Sequence, residues 1–421
     1  MRGRKRATTG LRGAHLLQLL QYAGEYFAAL VQDIDRSLHE VRMETYIFRF
    51  DAPGTLVASA LERAAVRGVK VYLAMDGVGT PHIPPEWEER FRQSGVQWRI
   101  FLPLGRLGLL IPVRWRRLHR KLCVVDGTTA YCGGINVLDD FFDPNHGQLK
   151  QPRLDFAVRV TGPLVQDVLQ AMTRFWWRQT AAAEVRDRDL PAAWREMEAS
   201  MKRALTERRH AMASFARGPS RSSPDDTPGH GAFADLVLRD NLRNRRKIER
   251  TYLKAIGAAR REVIIANAYF LPGARLRRAL VHASRRGVRV CLLLQGRYEY
   301  FLQYHASRPL YGKLLEAGVE IHEYTASFMH AKVAVMDGQW ATIGSSNLDP
   351  LSLLVAREAN VVVDDARFAG ELRTRLLQAM AQGSERVDVA ALANRSWRQR
   401  VLETLASLAL RAGIMLLGRR Y

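Results

Sequence analysis

The chain has 421 residues, 47% of them hydrophobic and 25% charged, a composition that excludes a disordered polymer and leaves room for two well-cored domains. Lys and Arg number 64 against 42 Asp and Glu, a net charge of +22, so the field attracts polyanions, either nucleic acid or an anionic lipid surface. The 3 cysteines, Cys123, Cys132 and Cys291, stand in apolar strand-like runs without metal-ligand or paired spacing; they read as reduced core residues of a reducing compartment, not as a disulfide framework.

The first twenty residues are basic but lack the sustained apolar run and small-residue cleavage site of an export signal. No window approaches the roughly 18 apolar residues of a spanning helix, so contact with lipid is expected from the surface. Residues 24–39 carry Tyr26, Phe27, Leu30, Val31, Ile34 and Leu38 at helical spacing, and a short apolar strand is expected near 42–48. A second helix near 55–67 ends at Gly68, a natural terminal cap, and the strand Val69–Met75 follows at once.

The pattern then returns. Ala65-Val66-Arg67-Gly68-Val69-Lys70-Val71 resembles Ser284-Arg285-Arg286-Gly287-Val288-Arg289-Val290. An aromatic strand is expected before each (Glu44–Phe48, Asn267–Leu271) and a Gly-Val strand after each (Gly95–Ile100, Gly318–Glu323). The shared order reads as a duplication. Strands alternating with helices predict an α/β fold of two pseudo-symmetric lobes, each a mixed sheet flanked by helices. The expected division is a first lobe over 1–182, a charged helix and Gly/Pro/Ser-rich linker over 183–231, and a second lobe over 232–421.

Each lobe carries one H-x-K-x4-D motif. The first is His119-Arg120-Lys121-Leu122-Cys123-Val124-Val125-Asp126, with Gly133-Gly134-Ile135-Asn136 downstream. The second is His330-Ala331-Lys332-Val333-Ala334-Val335-Met336-Asp337, with Gly344-Ser345-Ser346-Asn347 at the same distance. On a strand, His and Lys two apart project from one face, so the spacing predicts both in one cavity. Gly133 and Ser345, small residues beside the Asn turns, would let backbone approach a phosphate closely.

Two imidazoles, two ammonium groups and two amides suit phosphoryl transfer by covalent catalysis, one neutral His attacking phosphorus and the other, protonated, serving the leaving oxygen. Lys121, Lys332, Asn136 and Asn347 would hold the non-bridging oxygens. Asp155 and Glu358 are candidates to orient the second imidazole nitrogens. Asp126 and Asp337, counted with His119, Lys121, His330 and Lys332 as the catalytic motif residues, are expected mainly to cap the turns after the strands or to pair locally. This inventory calls for no metal and no cofactor.

These residues resemble the phospholipase D superfamily, with its two H-x-K-x4-D-x6-G-S/G-x-N copies. The likeness over about residues 24–380, including Ala268-Tyr269-Phe270-Leu271-Pro272-Gly273 and Gly344-Ser345-Ser346-Asn347-Leu348-Asp349-Pro350, is to bacterial cardiolipin synthases, most of all their B-type, peripheral branch. The resemblance implies condensation of two phosphatidylglycerol molecules, with glycerol released, His119 as nucleophile, His330 as acid and base, and residence on the cytoplasmic side of the cell membrane as a peripheral protein. It departs from the family pattern at Gly134, where Ser is common, and before Glu358, where an Asn is often found. Another alcohol acceptor, hydrolysis by water, and a nuclease of the same superfamily are the rival activities, the last disfavoured by the lipid-enzyme segments. A monomer suffices for the site, and the sequence leaves the oligomeric state open. Lipid-contact candidates are residues 103–118, the C-terminal run 401–417 and Trp176–Trp177, the last expected to pack internally.

Overall fold

The structure is a computed structural model describing residues 12–105, 112–143, 146–186, 231–240, 244–298, 301–349, 356–388 and 396–417. In the first half, β1 (Arg12–Gln21), α1 (Tyr22–Asp35), β2 (Glu40–Thr45), α2 (Ala52–Val66), β3 (Lys70–Asp76), α3 (Pro85–Ser94) and β4 (Gln97–Phe101) lead to β5 (Arg117–Leu118). There follow β6 (Lys121–Val125), β7 (Thr129–Gly133), the hairpin β8 (Phe142–Asp143) and β9 (Gly147–Gln148), β10 (Phe156–Thr161) and α4 (Leu164–Arg186). The second half repeats the plan with β11 (Ala232–Arg239), α5 (Lys247–Ala258), β12 (Glu262–Asn267), α6 (Ala274–Arg285), β13 (Arg289–Gln295), α7 (Phe301–Leu315) and β14 (Glu320–Tyr324). It continues with β15 (Lys332–Met336), β16 (Trp340–Gly344), β17 (Ala356–Asp364), α8 (Ala366–Gly383), β18 (Ser384–Arg386) and α9 (Trp397–Leu417).

Both halves enter one mixed sheet in the order β18-β14-β13-β12-β15-β16-β17-β11-β1-β10-β7-β6-β2-β3-β4. The order is close to a palindrome about the β11–β1 pair, as a duplicated unit joined edge to edge requires. Within each unit three strands run parallel through helical crossovers (β2-β3-β4 and β12-β13-β14). The motif strands β6 and β15 lie antiparallel to them. Each half has its own apolar core under its crossover helices, and a third cluster, including Val158, Leu236, Val333 and Val361, runs across the join.

The helix at 24–39 is present as α1, and the one at 55–67 as α2, which stops before Gly68 at φ +90. One expectation requires correction. The aromatic segments Tyr46–Phe48 and Ala268–Leu271 are not strands: β2 and β12 end at Thr45 and Asn267, and the aromatics form the loops at their C-terminal ends. Arg12–Gln21, for which the sequence suggested no element, is a central strand pairing with β10 and β11. The helix α4 runs through residue 182 to Arg186, while residues 187–230 of the expected linker lie outside the described residues. So do residues 106–111 of the 103–118 candidate and 418–421 at the C-terminus. Trp176 is buried edge-on against Tyr72 and Trp177 is partly buried beside it, as packing residues. All three cysteines are buried and free.

Candidate active site

The two motif histidines meet at the junction of the halves, with ring centroids 6.5 Å apart. Neither lies on its motif strand; each precedes it by two residues, because its backbone is tied across the junction. The His119 amide donates to Arg357 O at 3.1 Å and the His330 amide to Leu154 O at 2.8 Å. These two carbonyls belong to the residues immediately before Glu358 and Asp155. The side chains repeat the crossing: His119 Nδ1 lies 3.0 and 3.1 Å from the two Glu358 oxygens, and His330 Nδ1 lies 2.7 Å from Asp155 Oδ2. Each imidazole is therefore oriented by the other half's carboxylate, a pairing that sequence order alone did not indicate. With Nδ1 held, Nε2 is the nitrogen left for chemistry.

Buried Asp76, at the end of β3, fixes the approach to His119. It accepts from Leu118 N at 2.6 Å and pairs with Arg117 at 3.0 Å. Lys121 and Lys332 are 3% and 0% exposed, and the ammonium of each donates to the carbonyl of its own motif histidine. Burial, then the neighbouring Lys332 charge, pulls Lys121 down to about 7. Burial also lowers His119 and takes His330 well below its ordinary value, while it raises Asp155 to about 7. The last two shifts share one cause: a low-dielectric site disfavours charge on either partner of the His330–Asp155 pair.

The two carboxylates are held differently. Ser345 Oγ donates to Glu358 Oε2 and receives the Ala359 amide at 3.1 Å. At the equivalent Gly134, a Cβ would stand 2.3 Å from Asp155 Oδ1. The shorter carboxylate fills the space of the absent serine side chain and takes the Phe156 amide at 2.8 Å. Gly133 lets β10 close in, since a Cβ there would meet Phe156 O at 2.5 Å. Asn136 and Asn347 are buried at the ends of the downstream turns. Asn136 Oδ1 accepts the Ile47 amide at 3.2 Å, so its NH2 group remains a donor.

Sequence reasoning missed Tyr46. Its ring packs on the His119 imidazole at 4.9 Å, and the Lys121 ammonium lies 5.4 Å from the ring centroid. The signal was available as an aromatic immediately after a parallel strand, the edge of such sheets where sites collect.

Asp126 and Asp337 are not brought to the imidazoles. They stand at the far ends of β6 and β15, roughly 20 Å of extended chain from the histidines. At φ 49 and 56, conformations that Asp tolerates, they collect amides: Leu38, His39 and Glu40 for Asp126, and Arg260, Arg261 and Glu262 for Asp337. They clamp the start of the preceding parallel strand. Burial works against the Asp337 charge, but the Glu262, Arg261 and Arg260 amides outweigh it and hold its carboxyl below the usual 3.8. Such a group stabilises the fold above the unfolded value, and its contribution is lost as pH falls through the folded one. Asp337→Ala should therefore lower stability by about 1–2 kcal/mol at pH 7. In thermal melts, the gap from the parent should close below about pH 4.

Behind His119 lies a buried charge cluster. Arg120 reaches Glu44 at 2.7 Å, and the Arg120 and Arg357 guanidiniums both lie 5.2 Å from the Phe175 ring of α4. Burial raises the Glu44 carboxyl and depresses Arg357 to about 10. Arg120 and Arg357 come from different halves, so Glu44 and Phe175 bridge the junction. Glu44→Leu strands two buried guanidiniums and should cost about 3–5 kcal/mol of unfolding free energy. Equal denaturation midpoints for parent and variant would contradict that role.

Among the described residues no group of three or more His, Cys, Asp or Glu is arranged to hold a metal ion, and no helix is long and apolar enough to cross a membrane.

A family model described as a cardiolipin synthase, phospholipase D-like domain matches residues 30–149 and again 252–380. Cardiolipin synthase B of Escherichia coli K12 is 36% identical over 97% of this chain and 90% of its own length. Cardiolipin synthase A of Erwinia tasmaniensis is 29% identical over 96% of this chain and 76% of that protein. In fold, the chain is similar to the phosphatidylserine synthase of Haemophilus influenzae Rd KW20, with a TM-score of 0.66, 12% identity and coverage of 95% and 94% of the two chains.

Proposed function

The chain belongs to the phospholipase D-like cardiolipin synthase family and is a phosphatidyltransferase of that type, and from that premise we propose that it joins two phosphatidylglycerol molecules into cardiolipin, releasing glycerol, through a phosphohistidine. Each lobe, 1–182 and 232–421, contributes one histidine. Neutral His119, held through Nδ1 by Glu358, attacks phosphorus with Nε2, and the P–O bond to the departing glycerol breaks. His330, protonated on Nε2 and supported by Asp155, gives that proton to the glycerol oxygen. A terminal hydroxyl of the second phosphatidylglycerol then loses its proton to His330 and attacks the phosphohistidine, regenerating neutral His119. Lys121 and Lys332, with the amides of Asn136 and Asn347, neutralise the non-bridging oxygens.

The observation that carries this reading is the crossed pairing: two imidazoles 6.5 Å apart, each braced by the opposite half and flanked by a buried lysine. Rings at that separation are close enough to face one phosphodiester from two sides. No catalytic residue from a second chain is required. The substrate is an anionic bilayer lipid, so the +22 chain works as a peripheral protein on the cytoplasmic face of the cell membrane.

Mass spectrometry of products formed from labelled phosphatidylglycerol by the purified protein, with and without phosphatidylethanolamine, tests the acceptor. Cardiolipin and free glycerol are expected in both. Phosphatidate alone would make it a hydrolase, and a product appearing only with phosphatidylethanolamine would assign a different acceptor.

A further inference from the structure

The last helix is inside out. In α9, packed against α7, the side chains turned to the protein include Glu403 at 6% and Ala406 at 5% exposure. The large apolar residues face solvent: Trp397 is 71% exposed, Val401 48%, Leu405 58% and Leu408 54%. These four recur at four-, four- and three-residue steps, so they form one stripe along the helix. A soluble helix normally presents the reverse, and a continuous apolar stripe marks an interaction surface.

Three observations say what covers it. The first is charge: Arg398, exposed and lying over Trp397 at 5.6 Å, borders the stripe, no acidic side chain is exposed on the described part of the helix, and the whole chain carries +22. An anionic surface complements that pattern. The second is form: the exposed large side chains run as a single ridge along one helix, the form of an interfacial helix lying in the headgroup plane.

The third is position. The α7 helix starts at the rim of the site. Just before it, Arg297 donates to Thr325 O at 2.8 Å and lies 5.8 Å from the Phe328 ring, two residues from His330. His146 also packs on Phe328, at 4.8 Å, in the hairpin at whose base Phe141 and Phe142 are 44% and 43% exposed. Phe328, two residues from His330, thus sits between Arg297, ahead of the helix on which α9 packs, and His146, in the segment of the exposed Phe141–Phe142 pair.

We propose that the α9 stripe and the Phe141–Phe142 hairpin form the face that docks on an anionic phospholipid bilayer, seating the mouth of the site against the lipid headgroups. The inference rests on the reading of the site as one that acts on a bilayer lipid. Interfacial helices of this kind bury the apolar stripe to the headgroup–acyl boundary, with arginines at the phosphate level.

The test uses the full chain with Leu405→Asp/Leu408→Asp, and separately Phe141→Ser/Phe142→Ser, all at exposed positions outside the catalytic machinery. Binding is measured by co-sedimentation with vesicles of phosphatidylglycerol and phosphatidylcholine, and with phosphatidylcholine alone. Turnover is measured on detergent-dispersed phosphatidylglycerol, and mass by sedimentation velocity. Each variant should bind the anionic vesicles at least about tenfold more weakly, keep its detergent turnover, and sediment as the parent does. Undiminished vesicle binding by both variants overturns the proposal. So does a parent dimer that the α9 substitutions dissociate while vesicle binding persists, because the stripe would then be a self-contact. Loss of turnover in detergent by the parent itself would instead strike at the proposed reaction, and the vesicle result would still be read separately.

Discussion

His119→Gln and His330→Gln should each reduce phosphatidyl transfer by on the order of 10^4-fold or more, and the double variant should be little worse than either single one. Residues that act as a unit are non-additive, and here neither half-reaction proceeds without both imidazoles. Glutamine retains a polar group for the buried carboxylate, so Glu358 or Asp155 is not stranded and the melting temperature should stay near that of the parent. Mixing the two inactive single variants should restore nothing, since each chain carries its own complete junction. Recovery on mixing would mean that the working site forms between chains.

Asp155→Asn should lower kcat by about 10^2- to 10^4-fold and change the pH profile. In the parent, Asp155 is raised to about 7 by burial and Lys121 is lowered to about 7 by burial and Lys332. Below that value Asp155 takes a proton and can no longer accept the His330 Nδ1–H; above it Lys121 loses the charge that faces the phosphate. The kcat/KM profile, which reports the free enzyme, should therefore fall on both sides of about pH 7. A bound phosphodiester anion favours the ammonium, so the alkaline limb of kcat should lie at higher pH than that of kcat/KM. Asp155→Asn should remove the acid limb while the alkaline limb remains. An unchanged acid limb in the variant would assign it to another group.

Much of this site was legible before any coordinates. The paired H-x-K motifs, the downstream Asn residues and the candidate carboxylates Asp155 and Glu358 are local patterns, and the periodicity around Tyr26–Ile34 and Val69–Met75 marked real elements. What escaped depended on long-range pairing. Arg12–Gln21 contains Leu-Leu-Gln-Leu-Leu-Gln, which lacks the period-two alternation of a half-buried strand; it is a strand because β10 and β11 both bond to it. The exchange of carboxylates between halves follows from β5 lying beside β17, a contact between residues far apart in the chain. The aromatic runs after Thr45 and Asn267 have strand composition, yet the chain leaves the sheet there: the Ile47 amide goes to the Asn136 side chain and the Leu271 amide to Leu348 O. The same departure brings Tyr46 onto His119.

The proposed two-histidine division of labour has two elements: a covalent bond to His119 and a proton carried by His330. Gly134 and Ser345 give the two carboxylates different supports, so the halves, although duplicated, are not equivalent around their imidazoles. That asymmetry is compatible with one histidine specialised as nucleophile and the other as acid and base.

Rapid acid-free quenching of His330→Gln mixed with a labelled phosphatidyl ester of p-nitrophenol, whose leaving group needs no acid, followed by peptide mass spectrometry, reports on that bond directly. With no efficient base for the second half-reaction, a phosphatidyl group should accumulate on the peptide containing His119, and His119→Gln should yield no adduct. A label on the His330 peptide alone, or a parent that turns over while neither variant ever carries a covalent lipid, would contradict the mechanism.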